Sequence, residues 1–355
     1  MPDPSRYQRQ LLLPQWGPSA QAKLSRASIL VVGAGGLGCP ALQYLAAAGA
    51  GTLGIVDGDR VSLTDLHRQI LYTAGDEGAL KVDCAAAALH RLNPEVRVVP
   101  YPFQLTTANA LDILSAYDIV LDASDNFGTR YMVNDACALL GRPLVYGSVS
   151  RFEGQVAVFH QTSANYRDLF PHPPAPGEIP SCEEAGVLGV VAGIIGNLQA
   201  LEVLKLITGL GRPLAGRLLT YNALHQQIYE VEIIQGKTTG PGTTEAFRNW
   251  PYPDGCAAAP YTTIDNRTFD ALRAREDVLV LDVREPGEQP FIHEFPHEKW
   301  PLSRLKASPG GYKDRTIVVF CQSGKRSREA AALLAAHNTV YQLGDGIVGW
   351  LTGQP

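Results

Sequence analysis

Residues 28–59 read S-I-L-V-V-G-A-G-G-L-G-C-P-A-L-Q-Y-L-A-A-A-G-A-G-T-L-G-I-V-D-G-D. Ile29 to Val32 is a short apolar, β-branched run suited to a buried parallel strand. Gly33, Gly35, Gly36 and Gly38 follow at once, and an alanine-rich helix runs to Ala48. Gly49 and Gly51 break it, and a second apolar strand, Thr52 to Val56, ends at Asp57. A glycine turn between strand and helix, with an acid about 20 positions on, is the pattern of a phosphate-binding nucleotide site. Its glycines let backbone approach phosphate, and the helix start offers free N–H groups and a positive dipole end.

Outward from this unit the βα alternation continues. A polar, glycine-punctuated stretch, Val61 to Leu80, precedes a helix over Val82–Leu92 that Asn93-Pro94 stops. Val96–Tyr101, Asp118–Ala123 and Pro143–Tyr146 read as strands, Thr107–Leu114 and Phe127–Leu140 as helices. The alternation predicts an α/β fold, a Rossmann-like parallel sheet with helices on both faces. Ligands of such sheets bind beyond the carboxyl ends of the strands. Gly33 to Gly38, Asp57, Asp59 and Asp125 all follow strand ends, so they are expected to converge on one crevice. A strand is predicted over 154–160, a proline-rich loop over 161–180, a long apolar core or interface helix over Val187–Leu210, and closing strands at 218–221 and 227–234.

Gly, Pro and Thr crowd residues 236–260 and mark a linker. The chain therefore divides into a domain over 1–235, the linker, and a small α/β domain over 261–355. In the latter, a helix is expected over 263–275, strands over 278–282, 315–320 and 340–342, and a helix over 329–336. The strand to Phe320 runs directly into Cys321-Gln322-Ser323-Gly324-Lys325-Arg326-Ser327. A thiol at a strand end, before a helix and beside two cations, is placed to act as a thiolate nucleophile.

Composition bounds the rest. The 355 residues carry a net charge of −5, which argues against nucleic acid as the main partner. The start lacks the basic-then-apolar pattern of a signal segment, and no uninterrupted apolar run reaches the ~18 residues of a membrane span. The six cysteines form no C-x-x-C pair and no disulfide framework. A cytoplasmic protein with reduced thiols, without a membrane partner, is expected.

C-Q-S-G-K-R-S, with Asp282-Val283-Arg284-Glu285 upstream and Leu343-Gly344-Asp345-Gly346-Ile347 downstream, resembles a rhodanese domain. The resemblance implies that Cys321 carries a persulfide and that Arg284 and Glu285 brace its loop. The segment F-I-H-E-F-P-H-E-K-W-P-L departs from the usual rhodanese pattern after the Asp-x-Arg strand.

Residues 6–235 resemble the MoeB/ThiF adenylyltransferases, relatives of the ubiquitin-activating enzymes. The motifs are R-Y-x-R-Q, G-A-G-G-L-G-C, D-x-D-x-V-x-L-x-D-L-x-R-Q, Lys81, D-A-S-D-N (122–126) and S-C-E-E-A-G-V-L-G (181–189). The two-domain fusion resembles the MoeZ-like branch. The resemblance implies ATP-dependent adenylylation of the C-terminal Gly-Gly of a ubiquitin-like sulfur carrier. Sulfur from thiosulfate or a cysteine-desulfurase persulfide then converts that carboxylate into a thiocarboxylate. It makes Arg68 and Lys81 the triphosphate cations, Asp57 the ribose acid (with Asp59 close by), and Asp125, beside Asn126, the Mg²⁺ acid. Arg9 enters the partner subunit's site in a homodimer, and Cys182 is a candidate for a covalent bond to the carrier.

Two departures stand out. Asp65 sits where the family usually has asparagine, and an extra carboxylate there could repel ATP or join a metal shell. Asn165-Tyr166-Arg167-Asp168 stands where many relatives have C-Y-R-C, and only Cys256 remains near a second C-x-x-C, so no structural zinc is expected. A non-catalytic or redox-sensing scaffold with a degenerate nucleotide site is the alternative. An NAD-linked dehydrogenase, resting on the glycine turn alone, explains neither Arg68 and Lys81 nor the second domain.

Overall fold

A computed structural model describes residues 5–174, 186–236, 240–252, 261–307 and 311–352. The chain divides into two compact units: described residues 5–173, 186–236 and 240–252 belong to the first, and 174, 261–307 and 311–352 to the second.

In the first unit the strands are β1 (Ser28–Val32), β2 (Thr52–Val56), β3 (Arg97–Tyr101), β4 (Ile119–Asp122), β5 (Leu144–Ser150), β6 (Glu153–Phe159), β7 (Arg217–Asn222) and β8 (Gln227–Glu232). They form one sheet in the order β3-β2-β1-β4-β5-β6-β7-β8. Pairing is parallel as far as β5 and antiparallel from β5 to β8. The expected parallel sheet is thus a mixed one. β5 overruns its predicted end at Tyr146 and hairpins into β6, which explains the antiparallel half.

β1 shows why the opening stretch is so uniformly apolar. Ile29 and Val31 enter one hydrophobic cluster and Leu30 and Val32 the other, so both faces of the strand are covered. The covering helices are α1 (Gln8–Leu11), α2 (Gly17–Leu24), α3 (Gly38–Ala48), α4 (Lys81–Leu92), α5 (Ala110–Ser115), α6 (Phe127–Leu140), α7 (Tyr166–Leu169) and α8 (Gly189–Thr208). α8 is long and apolar enough to cross a membrane by length and composition alone. Here it packs on α3 and on β5 and β6, with Val191, Ile195 and Val203 fully buried. Its glycines fit it there: a Cβ on Gly196 would lie 2.3 Å from Leu37 O, and one on Gly189 2.3 Å from His67 O.

The linker expected over 236–260 is narrower than that. Within it, α9 (Thr244–Arg248) buries Phe247 completely in the first unit's core, beside α6. The Tyr252 hydroxyl donates to Asp135 Oδ2 at 2.7 Å. One buried ring, Phe247, and the partly buried Tyr252 anchor a stretch whose composition is that of a turn-rich linker.

The second unit holds β9 (Thr262–Ile264), α10 (Asn266–Arg273), β10 (Val278–Asp282), β11 (Glu298–Lys299), α11 (Leu302–Ala307), β12 (Thr316–Phe320), α12 (Lys325–Leu334), β13 (Thr339–Leu343) and α13 (Gly346–Thr352). Its sheet, ordered β11-β10-β12-β13-β9, is parallel throughout. β12 is again buried on both faces: Val318 and Phe320 face one cluster, Ile317 and Val319 the other.

Candidate functional sites

The glycine turn sits at the carboxyl end of β1. Gly33 has φ +94°, and a Cβ there would meet Ala123 O at 2.8 Å, at the end of neighbouring β4. A Cβ on Gly38 would sit 2.0 Å from Gly33 O. Both are glycines because the turn is tight. Gly35 is different: a Cβ there would meet only Gln69 Nε2, at 3.8 Å. Packing does not require a glycine at 35, and the bare backbone leaves room for a ligand, as a phosphate-binding turn needs.

Asp57, at the end of β2, braces this turn. Its Oδ2 accepts from the Ala34 amide and its Oδ1 from the Asp59 amide, each at 2.8 Å. Burial pushes its carboxyl above the usual range while these bonds oppose the shift. The Tyr72 hydroxyl donates to Ala34 O at 2.7 Å and ties the turn from a second side. Each Asp57 oxygen thus takes one backbone donor and keeps a further lone pair for a ligand hydroxyl, while Asp59 beside it faces solvent.

The two cations arrive by different routes. Arg60 and Leu80 form a backbone bridge, and the Lys81 amide donates to Asp59 O at 3.0 Å, which sets Lys81 at the first residue of α4 beside the turn. Ser62 and Asp65 form a capping box that starts a short turn, and the Arg68 and Gln69 amides donate to Asp65 O. Asp65 then meets both cations. Its Oδ1 accepts from Arg68 Nη2 at 3.1 Å, and its Oδ2 lies 3.6 Å from Lys81 Nζ. Asp59 Oδ2 lies 3.4 Å from the same ammonium. Burial works against the Lys81 charge, but Asp57, Asp65 and Asp59 together outweigh it and lift its pKa above the ordinary lysine value.

Asp125 is exposed just beyond the end of β4. Asn126 caps α6, its side chain accepting from the Thr129 amide at 2.8 Å. The sheet edge thus gathers the turn, Asp57, Asp59, Arg68, Lys81, Asp125 and Asn126 as expected. It does not gather Arg9. Tyr7 and Gln10 anchor the arm at the far end of α3: the Tyr7 ring fills the space a Gly49 side chain would take, and Gln10 Nε2 donates to Ala48 O. The eleven residues of α3 separate that anchor from the turn by about 16 Å at 1.5 Å per residue. Arg9 stands exposed on α1. Cys182 and Cys256 lie outside the described residues. Cys39 and Cys137 are buried, as packing residues should be, and burial pushes the Cys39 thiol up to about 12. Cys84 is half-buried.

The tetrad 165–168 is knitted into the protein by its own side chains. Asn165 and Asp168 make a capping box, and Asp168 Oδ1 accepts from the Gly236 amide. Arg167 forms a two-pronged pair with buried Asp135, both contacts at 2.7 Å. With Tyr252 on the same carboxylate, this network fastens the stretch after β8.

In the second unit Cys321 is buried at the end of β12, and Ser327 Oγ lies 3.5 Å from its sulfur. The loop is held from β13. Gln342 Nε2 donates to Gly324 O at 3.2 Å and to Ser327 Oγ at 3.0 Å. The Ile347 amide donates to Cys321 O at 2.8 Å. A Cβ on Gly324 would sit 1.9 Å from Gly344 O, and one on Gly346, at φ +64°, would sit 2.5 Å from Gly324 N, so the close approach of the two loops requires glycine at 324 and 346. The bracing expected of Arg284 and Glu285 is corrected. Arg284 is bound to Asp282 and Pro290 O, and the Glu285 carboxylate accepts from Ser303. Glu288 holds the loop instead, clasping Arg326 with both carboxylate oxygens, one at 2.6 Å. It drives the pair together from 38 positions away, with no signal in the local sequence.

A ThiF family model matches residues 7–241 and a Rhodanese-like domain model residues 265–352. The probable adenylyltransferase/sulfurtransferase MoeZ of Mycobacterium tuberculosis H37Rv is 41% identical over 361 residues, spanning 98% of this chain and 92% of that protein. The sulfur carrier protein adenylyltransferase of Thermus thermophilus is 55% identical over 234 residues, 64% of this chain and 86% of its own. In fold, the first unit is similar to E. coli MccB crystallised with MccA-N7isoASN: TM-score 0.60, 20% identity, 66% of this chain and 73% of that one. The chain belongs to the ThiF family, in the branch where an adenylyltransferase domain is followed by a rhodanese-like sulfurtransferase domain.

Proposed function

We propose that the first unit uses ATP to adenylylate the C-terminal Gly-Gly carboxylate of a ubiquitin-like sulfur-carrier protein, and that Cys321 supplies the sulfur that replaces AMP. The observation that carries this reading is the placement of Arg68 and Lys81 together beside a glycine turn whose Gly35 has no packing reason to lack a side chain. A carboxylate attacking the α-phosphate brings two anions together. Fixed cations at the triphosphate and a held geometry lower that barrier.

In this reading the turn amides and the start of α3 face phosphate, and Arg68 and Lys81 neutralise the departing pyrophosphate. Asp57, with Asp59 close by, takes the ribose hydroxyls, and Asp125 offers oxygen ligands to Mg²⁺. Arg9 acts in the partner subunit's site, so the working unit is a homodimer. Arg suits that task through its fixed fork of donors. The outer sulfur of a Cys321 persulfide, charged by thiosulfate or a cysteine-desulfurase persulfide, then attacks the activated carbonyl and AMP leaves. Cys182 is the second thiol for a covalent bond to the carrier. The chemistry belongs in the cytoplasm, where thiols stay reduced.

The test is exchange of labelled pyrophosphate into ATP by the full chain. Exchange that depends on a Gly-Gly-ended carrier is expected; exchange without any carrier counts against the reading.

A further inference from the structure

Asp65 is the group that the two cations share. Its side chain is 10% exposed, and four donors or cations converge on it. Oδ1 accepts from Gln69 Nε2 at 2.9 Å and Arg68 Nη2 at 3.1 Å; Oδ2 accepts from the Ser62 amide at 3.1 Å and lies 3.6 Å from Lys81 Nζ. The Ser62 and Gln69 bonds need an acceptor but not a charge, so the shape of this turn does not depend on Asp65 being ionised. What the charge does is occupy the cations. Lys81 is buried and its ammonium already answers to Asp59 as well. Three carboxylates (Asp57, Asp59, Asp65) stand around two cations, so the cluster has no surplus positive charge to offer a polyphosphate. Screening by salt is weak at such a site.

We infer that Asp65 is a built-in competitor of the polyphosphate: it holds Arg68 and Lys81 between turnovers, yields them to the triphosphate, and reclaims them as pyrophosphate leaves. Two anions cannot both have the same pair of cations at full strength, because like charges on neighbouring oxygens repel. Asp65 therefore weakens binding of the β- and γ-phosphates, in substrate and product alike. It leaves the AMP part untouched. Its benefit is to pyrophosphate release, and so to forward commitment of the adenylylation. Asp65 is a positioning residue in this account, acting through the two cations. The inference rests on the nucleotide reading above for which phosphates lie at Arg68 and Lys81.

The experiment is calorimetric titration of the full chain and of Asp65→Asn with inorganic pyrophosphate, ATP and AMP. Asp65→Asn should bind pyrophosphate about tenfold more tightly, the scale of losing one partly buried like charge. ATP should tighten in parallel, and AMP should bind both proteins alike. A role in folding alone predicts pyrophosphate binding that is unchanged or weaker, and a role as a metal ligand predicts weaker binding. Asp65→Ser, which keeps an acceptor for the Ser62 amide, is the second uncharged variant, and Asp65→Glu should bind pyrophosphate like the parent. Pyrophosphate binding that is unchanged or weaker in both uncharged variants, with AMP still bound, overturns the inference and leaves the nucleotide reading standing. Tighter pyrophosphate with no AMP binding to any variant supports the competition and sinks the nucleotide reading.

Discussion

β1 runs through Gly33–Leu37 into α3, and β12 runs through Cys321–Gly324 into α12. Both corners turn a parallel strand, buried on both faces, into a helix, and both rely on a left-handed glycine, Gly33 at φ +94° and Gly324 at φ +83°. The first corner carries no reactive side chain of its own. Its space at Gly35 is left open, and its cations come from the 57–81 segment, where Asp65 and Asp59 hold them. The second corner opens on the Cys321 thiol, and its cation Arg326 sits in the first turn of the very helix the corner leads into, clasped by Glu288. The same backbone device thus leaves open space in one place and mounts a thiol in the other; in the function proposed above, the open corner is the ligand cradle. What differs is whether the strand's next residue is a glycine or a cysteine, and where the charges are brought from.

Cys321→Ser should lower thiosulfate sulfurtransferase activity by about a thousandfold or more, the scale of losing a covalent nucleophile. Carrier-dependent pyrophosphate exchange should be unchanged, since the cradle has its own corner. Loss of both activities would mean that the two corners are one machine.

Next in size is Lys81→Ala, which should cost pyrophosphate exchange about a hundredfold, as removal of one transition-state cation does. Arg9→Ala should do likewise, although the single chain places Arg9 at the far end of α3. An equal mixture of the two variants, unfolded and refolded together, should regain about a quarter of parental activity, because half the dimers are mixed and each of those has one intact site. No recovery on mixing would return Arg9 to its own chain.

Much of this was readable before the fold. Apolar runs buried on both faces, punctuated by glycine and followed by acids, marked β1, β2 and β4 and the edge where the site lies. Cys321 was legible from its flanks. The unreadable part was partner choice. Asp57 and Asp59 are two residues apart at one strand end, and only the fold shows that the first accepts from the Ala34 amide while the second faces solvent. Glu288 reaches Arg326 across 38 positions, and Phe247 lies in a stretch whose Gly and Pro content looked like linker. Composition reports local backbone freedom; it does not report a single buried ring that cancels it.

Two glycines of the cradle separate packing from binding. Gly38→Ala forces a Cβ to within 2.0 Å of Gly33 O and should lower stability by about 1–3 kcal/mol, the range for overpacking a tight site. Gly35→Ala has room and should leave the thermal midpoint within a degree or two of the parent on the scale that about 0.5 kcal/mol sets. Its ATP binding should nonetheless weaken, because the methyl enters the space the ligand needs. A Gly35→Ala protein with undiminished ATP affinity would show that the cradle lies elsewhere.

The smallest effect tests the other corner. Glu288 is held down to about 2 by its hydrogen bonds to Arg326, against an ordinary glutamate value of 4.5. A carboxyl depressed in the folded state adds stability that is complete above the unfolded value and fades as pH falls towards the folded one. The pair is partly solvated, so the whole contribution is at most about 1 kcal/mol. Parent and Glu288→Gln should therefore differ in thermal midpoint by a constant small amount above pH 5. That gap should shrink between pH 4.5 and pH 2, while the sulfurtransferase pH profile between 5 and 9 shows no step from Glu288. A gap that widens on acidification would mean that Glu288 carries its proton in the native loop, and that Arg326 is held by something other than charge.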